Sequence, residues 1–189
     1  MRTEVVAGQY LDLEASRGPA PPEPAVRRIA RLKSGAYTVE KPLLIGAALS
    51  GAPPEFESAL SAYGLALGEA FQIRDDVLGV FGDPEVTGKD AEGDLREGKR
   101  TLLITRALAA APPADRAYME ATLGRGELDA AEAERVRDII RSTGAYSSTL
   151  TAMDDLRSRA IEALHGSGLP QEVLGELALL ADQAIVRES

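Results

Sequence analysis

The sequence holds no cysteine and one histidine, His165, among 189 residues. Without thiols there can be no disulfide, no thiolate metal centre and no cysteine nucleophile. A single imidazole excludes a multi-histidine metal site and disfavours a serine-histidine-aspartate triad. Any chemistry is therefore left to carboxylates, lysines and hydroxyls. Positive charge is also scarce: 21 lysines and arginines stand against 30 aspartates and glutamates, a formal charge of −9. So acidic a chain is not built to displace counterions from nucleic acid or to lie on anionic lipid. Apolar runs such as Pro42 to Leu49 fall well below the roughly 20 residues of a bilayer span, so no stable membrane insertion is expected. No basic start followed by an apolar core and a small-residue cleavage site is visible, which predicts a cytoplasmic setting.

What is present is helical periodicity. Hydrophobic residues make up 44% of the chain and recur at three- and four-residue spacing, while sustained strict alternation is hard to find. The expectation is an all-α protein of one domain, or part of a larger one. Glycine and proline mark the segments. Gly18 to Pro24 reads as a loop, Pro42 opens a short helix ending near Gly51, and Pro53-Pro54 precedes a long helix from about Glu55 to Val80. At about 1.5 Å per residue that helix approaches 40 Å, the length of a central bundle element. Gly82-Asp83-Pro84 stops it, and Gly82 to Gly98 is too rich in glycine and charge to be helical throughout. Helices are then expected over Lys99 to Ala111, Ala114 to Leu123, Ala130 to Ser142, Ala145 to His165 and Pro170 to Val186. Phe56, Tyr63 and Phe81 read as core aromatics.

The densest chemical cluster is Phe71-Gln72-Ile73-Arg74-Asp75-Asp76, inside the long apolar helix. Gln72, Asp75, Asp76 and Gly79 lie three, four and seven positions apart and share a face. Adjacent carboxylates with oxygen-only neighbours suit a hard cation such as Mg2+, which one or two carboxylates hold together with water and substrate phosphate. Lys89 and Lys99 in the following segment supply charge complementary to a diphosphate.

These residues resemble the trans-type isoprenyl diphosphate synthases, or polyprenyl synthetases. Phe71-Gln72-Ile73-Arg74-Asp75-Asp76-Val77-Leu78-Gly79 is similar to that family's second aspartate-rich motif, Phe-Gln-x-x-Asp-Asp-x-x-Asp. Gly82-Asp83-Pro84 with Thr87-Gly88-Lys89, and Asp94-Leu95-Arg96-Glu97-Gly98-Lys99-Arg100-Thr101, resemble the blocks that follow it. Upstream, Lys33-Ser34-Gly35-Ala36-Tyr37 is similar to the family's Lys-Thr/Ser-x-x-Tyr motif, and Gly8-Gln9-Tyr10-Leu11-Asp12 to its Gly-Gln-x-Leu-Asp segment. Five matches in order are far more specific than any one of them.

The resemblance implies a helical bundle of the isoprenoid synthase type. It implies Mg2+ on Asp75 and Asp76, bridging to an allylic diphosphate that Lys33, Lys89 and Lys99 contact. Gln72 would help hold the site, and Ser34 and Tyr37 would lie near the ionising carbon. The implied reaction is head-to-tail condensation of isopentenyl diphosphate with the allylic substrate. Two features depart from the family pattern. Gly79 stands where the third aspartate is expected, which removes one possible metal ligand or second acceptor. The Gly-Gln-x-Leu-Asp segment begins at Gly8, so residues 1–189 correspond to one partial domain without the first aspartate-rich motif and the Arg-Arg pair. Asp154-Asp155 and Arg27-Arg28 read as solvated or helix-capping residues rather than replacements. An alternative reading is a non-catalytic or split subunit that binds diphosphate or pairs with a partner supplying the first motif. A terpene cyclase is disfavoured, because its asparagine- and serine/threonine-containing metal motif is not found. A half-bundle is expected to leave the inner face of the Glu55 to Val80 helix uncovered, which predicts a homodimer or hetero-oligomer.

Overall fold

The computed structural model describes residues 2–88, 90 and 92–186, and among them there are helices and turns but no strand. In chain order the helices are α1 (Arg2–Arg17), α2 (Glu23–Ala30), a π-helical segment (Arg31–Glu40) and α3 (Lys41–Leu49), then a single 3-10 turn (Pro54–Phe56) and α4 (Glu57–Phe81). The short α5 (Pro84–Thr87) and α6 (Gly93–Glu97) follow, then α7 (Leu102–Ala110), α8 (Pro113–Thr122), α9 (Ala130–Ser142), α10 (Ala145–Leu164) and α11 (Gln171–Val186). No described helix is long and apolar enough to cross a membrane.

Helix ends from α4 onward fall close to the expected ones, and side-chain caps account for several. Asp129 accepts the Glu132 N–H at 2.8 Å while Glu132 accepts the Asp129 N–H at 3.2 Å, a reciprocal capping box that starts α9. Thr101 caps α7 in the same sense, accepting the Ile104 N–H. The region from Glu23 to Leu49 differs from expectation. The short helix expected from Pro42 is present as α3, with the proline in its first turn, but it continues directly from the π segment instead of following a loop. The Lys41 N–H bonds to the Ala36 carbonyl, five residues back, so the ladder is already widened where the proline removes a donor. The loop after α1 is correspondingly shorter, since Pro24 sits in the first turn of α2.

The chain divides into two compact units. One comprises the residues up to Gly8, Ala30–Gln72 and the chain from Ala152 on; the other comprises Gln9–Ile29 and Ile73–Thr151. In the first unit Leu60, Tyr63 and Leu67 of α4 pack with Ala160 and Leu164 of α10 and Leu177 and Ala181 of α11. Beside this core an apolar cleft of about 950 Å³ is lined by Val39, Leu43, Phe71, Leu177 and Leu180 among others. Close backbone approach is possible because glycines meet at the crossings. A Cβ on Gly64 would lie 2.5 Å from Glu40 Cα, and one on Gly68 only 2.4 Å from Gly35 Cα. The buried Glu40 is satisfied there by the Ser61 hydroxyl at 2.6 Å and Lys41 Nζ at 3.1 Å.

In the second unit the core is built on Val80, Leu95, Leu103, Ile104, Leu108, Met119, Val136 and Ile140, with Phe81 tilted against Tyr146. Arg106 pairs in a fork with Glu23, joining α7 to α2, and Arg137 Nε donates to the Val80 carbonyl at 2.7 Å.

From Tyr63 to Phe81 every residue of α4 is buried or half-buried. The face expected to be uncovered is thus covered in part, since the π segment closes on Gly64 and Gly68 while Leu67 and Phe71 still line the apolar cleft. Exposed large apolar residues lie elsewhere, with Val6, Tyr10 and Leu13 on α1, Ile45 and Leu49 on α3, and Leu179 and Leu180 on α11.

Tyr63 is fully buried and its hydroxyl donates to the Leu177 carbonyl at 2.7 Å. Burial, reinforced by the charge of Asp182, pushes the phenol above its ordinary value of 10. An unfolded chain would release that proton at its ordinary pKa while the folded chain retains it, so this part of the stability is full below about pH 10 and is lost as pH rises further. Tyr63→Phe is expected to cost about 1 kcal/mol at neutral pH, a fall in Tm of roughly 2–4 °C. It should also reduce the alkaline loss of stability. Melting curves across pH check both effects, and an alkaline profile identical to wild type would contradict the assignment.

Candidate functional site

In the first unit the Lys33-to-Tyr37 motif lies on the π segment, and that winding decides which groups face inward. Four-residue spacing would place Lys33 and Tyr37 on one face of an α-helix, but hydrogen bonds five residues long change the phase. Ser34 is buried, with its hydroxyl 3.2 Å from that of Thr38, whereas Tyr37 is 52% exposed. Lys33 is half-buried and lies where α1 crosses closely, since a Cβ on Gly8 would be 2.6 Å from the Lys33 backbone nitrogen. Gln72 is buried on α4.

In the second unit Asp75 and Asp76 are half-buried on the last turns of α4. Beyond α4, the loop is ordered by local capping. Asp83 accepts the Glu85 N–H at 2.9 Å, and Asp90 accepts the Glu92 N–H at 3.0 Å while holding Arg96 through both carboxylate oxygens. Lys89, expected on the diphosphate, lies outside the described residues. Helix α6 then ends at Gly98, where φ is +69° and a Cβ would stand 2.8 Å from Gly124 Cα, so only glycine fits.

Lys99 follows directly. Its ammonium is bonded to Asp94 Oδ1, with Glu97 at 3.4 Å. Burial by itself would lower this lysine, but the hydrogen bond and charge of Asp94, helped by Glu97, outweigh it and hold the ammonium above the ordinary range. Two groups that sequence reasoning did not single out emerge here. Asp94 is one, and its signal was the five-residue spacing to Lys99. Arg100 is the other: among the described residues its Nε and Nη1 are buried without a hydrogen-bond partner, and burial pushes its guanidinium below the usual range against the opposing charge of Glu120. Nothing in the sequence distinguishes Arg100 from a surface arginine.

The expected site residues therefore fall in two groups, with Lys33, Ser34, Tyr37 and Gln72 in the first unit and Asp75, Asp76 and Lys99 in the second. Asp154 and Asp155 are exposed on α10, as expected of a solvated face.

Comparison with known proteins decides the family, because residues 1–140 match the profile described as polyprenyl synthetase. The chain belongs to the polyprenyl synthetase family. It is 51% identical over 80 residues to a geranylfarnesyl diphosphate synthase of Aeropyrum pernix, covering 42% of this chain and 25% of that one. It is 30% identical over 193 residues to a geranylgeranyl diphosphate synthase of Methanosarcina mazei, covering 98% of this chain and 55% of that one. The fold superposes with a TM-score of 0.93 and 37% identity on geranylgeranyl pyrophosphate synthase from Corynebacterium glutamicum, solved with isoprenyl diphosphate and magnesium, covering 100% of this chain and 53% of that one. This polyprenyl synthetase chain thus spans from a quarter to just over half the length of these relatives.

Among the described residues no three His, Cys, Asp or Glu side chains gather into a ready cage. What this polyprenyl synthetase offers is a carboxylate pair on one helix, and Mg2+ accepts such a pair when water and phosphate oxygens complete its shell.

Proposed function

We propose that this chain is part of a magnesium-dependent prenyltransferase that joins isopentenyl diphosphate head to tail to an allylic diphosphate. Residues 1–189 would form one partial domain that carries the second aspartate-rich motif. The observation that supports this reading most directly is the Asp75-Asp76 pair on the buried helix α4, with the lysine-bearing segment Asp94 to Lys99 in the same unit.

Asp75 and Asp76 would hold Mg2+, and a bound Mg2+ neutralises the charge that develops on a departing diphosphate. Lys33, Lys89 and Lys99 would contact the same diphosphate as fixed cations. For Lys99 this means exchanging the Asp94 oxygen for a phosphate oxygen, or sharing its three donors between them. Gln72, Ser34 and Tyr37 would offer oxygen dipoles to the positively charged allylic carbon. In the reaction the allylic carbon–oxygen bond breaks and diphosphate leaves with the electron pair. The double bond of isopentenyl diphosphate then forms the new carbon–carbon bond, and a proton is lost to restore an alkene.

A second reading rests on the length comparison. A chain that spans about half of its relatives could be a non-catalytic or split subunit, and the exposed apolar residues of α1 and α11 support a homodimer or hetero-oligomer. Calorimetric titration of the 189-residue chain with an unreactive allylic diphosphate analogue, with and without Mg2+, tests the first reading. Magnesium-dependent binding is the expected result, and its absence in a cooperatively melting sample would sink it. Turnover that appears only when a polypeptide bearing the first aspartate-rich motif is added would favour the second.

A further inference from the structure

Helix α6 is five residues long, little more than one turn, so its own hydrogen bonds cannot fix its place. Tertiary contacts do so. The Leu95 side chain is fully buried in the core of the second unit, and Asp94 lies beside Gly79 of α4 while holding the Lys99 ammonium. At its other end the last carbonyls of α6 have no partner in a following α turn, and the loop between α8 and α9 supplies donors. The Gly124 N–H reaches the Leu95 carbonyl at 3.0 Å, and the Gly126 N–H reaches the Arg96 carbonyl at 3.2 Å. This approach is backbone against backbone, since a Cβ on Gly98 would stand 2.8 Å from Gly124 Cα and 3.1 Å from its nitrogen. The loop is itself tied at both ends. Leu123 is buried in the same core, and Arg125 pairs at 3.0 Å with Glu132, the residue that closes the capping box of α9. Between those ties Gly124, Arg125 and Gly126 are exposed.

We propose that the loop at residues 123–126 is a positioning element for the diphosphate site, acting through Lys99. This inference rests on the reading of Lys99 as a diphosphate contact. The two loop N–H donors and the Gly98–Gly124 approach fix the end of α6. That end in turn fixes where the chain carries Lys99, whose N–H bonds to the Asp94 carbonyl at 3.0 Å immediately after Gly98. A displacement of the exposed loop is therefore passed to the Lys99 ammonium as a change of place without a change of charge.

Wild type, Gly124→Ala, Lys99→Met, the double variant and Gly166→Ala are titrated with inorganic diphosphate, with and without Mg2+, and melted. A methyl at 124 would stand 3.4 Å from Gly98 Cα, tight enough to push on α6, and its φ of +83° adds backbone strain. Gly166 has a φ of +71° and no neighbour within 4 Å, so alanine there brings the strain without the push. Both alanine variants should melt lower than wild type, but only Gly124→Ala should weaken magnesium-dependent diphosphate binding, on the order of fivefold. Lys99→Met keeps the aliphatic stem and should weaken binding on the order of tenfold. In that background Gly124→Ala should add nothing, because the group it positions is gone. If Gly124→Ala does not fold, Gly126→Ala, whose Cβ meets nothing within 4 Å, takes its place in the same cycle.

Undiminished binding by the folded loop variant, with weak binding by Lys99→Met, would overturn this inference and leave the proposed function standing. So would a loss in the loop variant that persists unchanged in the Lys99→Met background, the mark of a merely structural role. Full binding by Lys99→Met would overturn the inference while leaving Asp75 and Asp76 as the proposed metal pair. Absence of any magnesium-dependent binding by the folded wild-type chain would overturn both the inference and the proposed function.

Discussion

Substituting alanine for both Asp75 and Asp76 is expected to abolish magnesium-dependent binding of an allylic diphosphate analogue in a chain that still melts cooperatively. The two carboxylates are the oxygen pair that α4 offers on one face, and no cluster of three metal-binding side chains exists among the described residues to replace them. Losing both donors should therefore cost more than the about 10–100-fold that changes around a metal's outer shell produce. Loss of binding in a fully folded variant separates a ligand role from a structural one. Undiminished binding would exclude Asp75 and Asp76 as metal ligands.

The largest stability effect is expected at the crossing of α4 with the π segment. Gly68→Ala should lower Tm by on the order of 10 °C, whereas Gly35→Ala at the same crossing should leave it unchanged or raise it. A Cβ on Gly68 would meet Gly35 Cα at 2.4 Å and the Gly35 carbonyl oxygen at 2.7 Å. Both atoms are backbone, so no rotamer change relieves the contact and the segments must separate, near the upper end of the 1–3 kcal/mol that overpacking typically costs, about 2–4 °C per kcal/mol for a chain of this size. A Cβ on Gly35 would find its nearest neighbours at 3.5 Å, an ordinary contact distance. There alanine reduces the backbone entropy lost on folding. Equal effects at the two glycines, measured by thermal melts, would contradict the asymmetry.

Much of the fold was legible because local chemistry and periodicity agree. Ala130 to Ser142 has a capping box at its start, and Pro112-Pro113, Gly144 and the Gly166 to Pro170 stretch separate helices that match their expected bounds within a residue or two, apart from the start of α7, which comes three residues late at Leu102. The aspartate pair was legible as well, since two adjacent carboxylates in a long apolar helix conflict with its otherwise buried character. The π segment was not. A three- and four-residue apolar rhythm does not show hydrogen bonds of five-residue span, and Pro42 looks the same whether it opens a helix or continues one. Nor does that rhythm show that Ser34 is buried while Tyr37, three residues on, is exposed. The Gly79–Asp94 contact was hidden for a different reason. It joins residues fifteen positions apart through a loop, and the rhythm of α4 alone does not show which element lies against Gly79.

The ten residues from Arg31 to Glu40 also act as a phase shifter between two ordinary helices. Each residue of a π turn rotates the chain less than an α turn does. By the time α3 begins at Lys41, its side chains are therefore clocked differently from where an unbroken α-helix starting at Arg31 would place them. A single deletion anywhere in that stretch would allow tighter winding while rotating Pro42, Leu43 and Ala47 away from the apolar cleft they line. A change of length between Arg31 and Glu40 should thus disturb α3 more than Gly35→Ala does, so this short stretch behaves as a ruler.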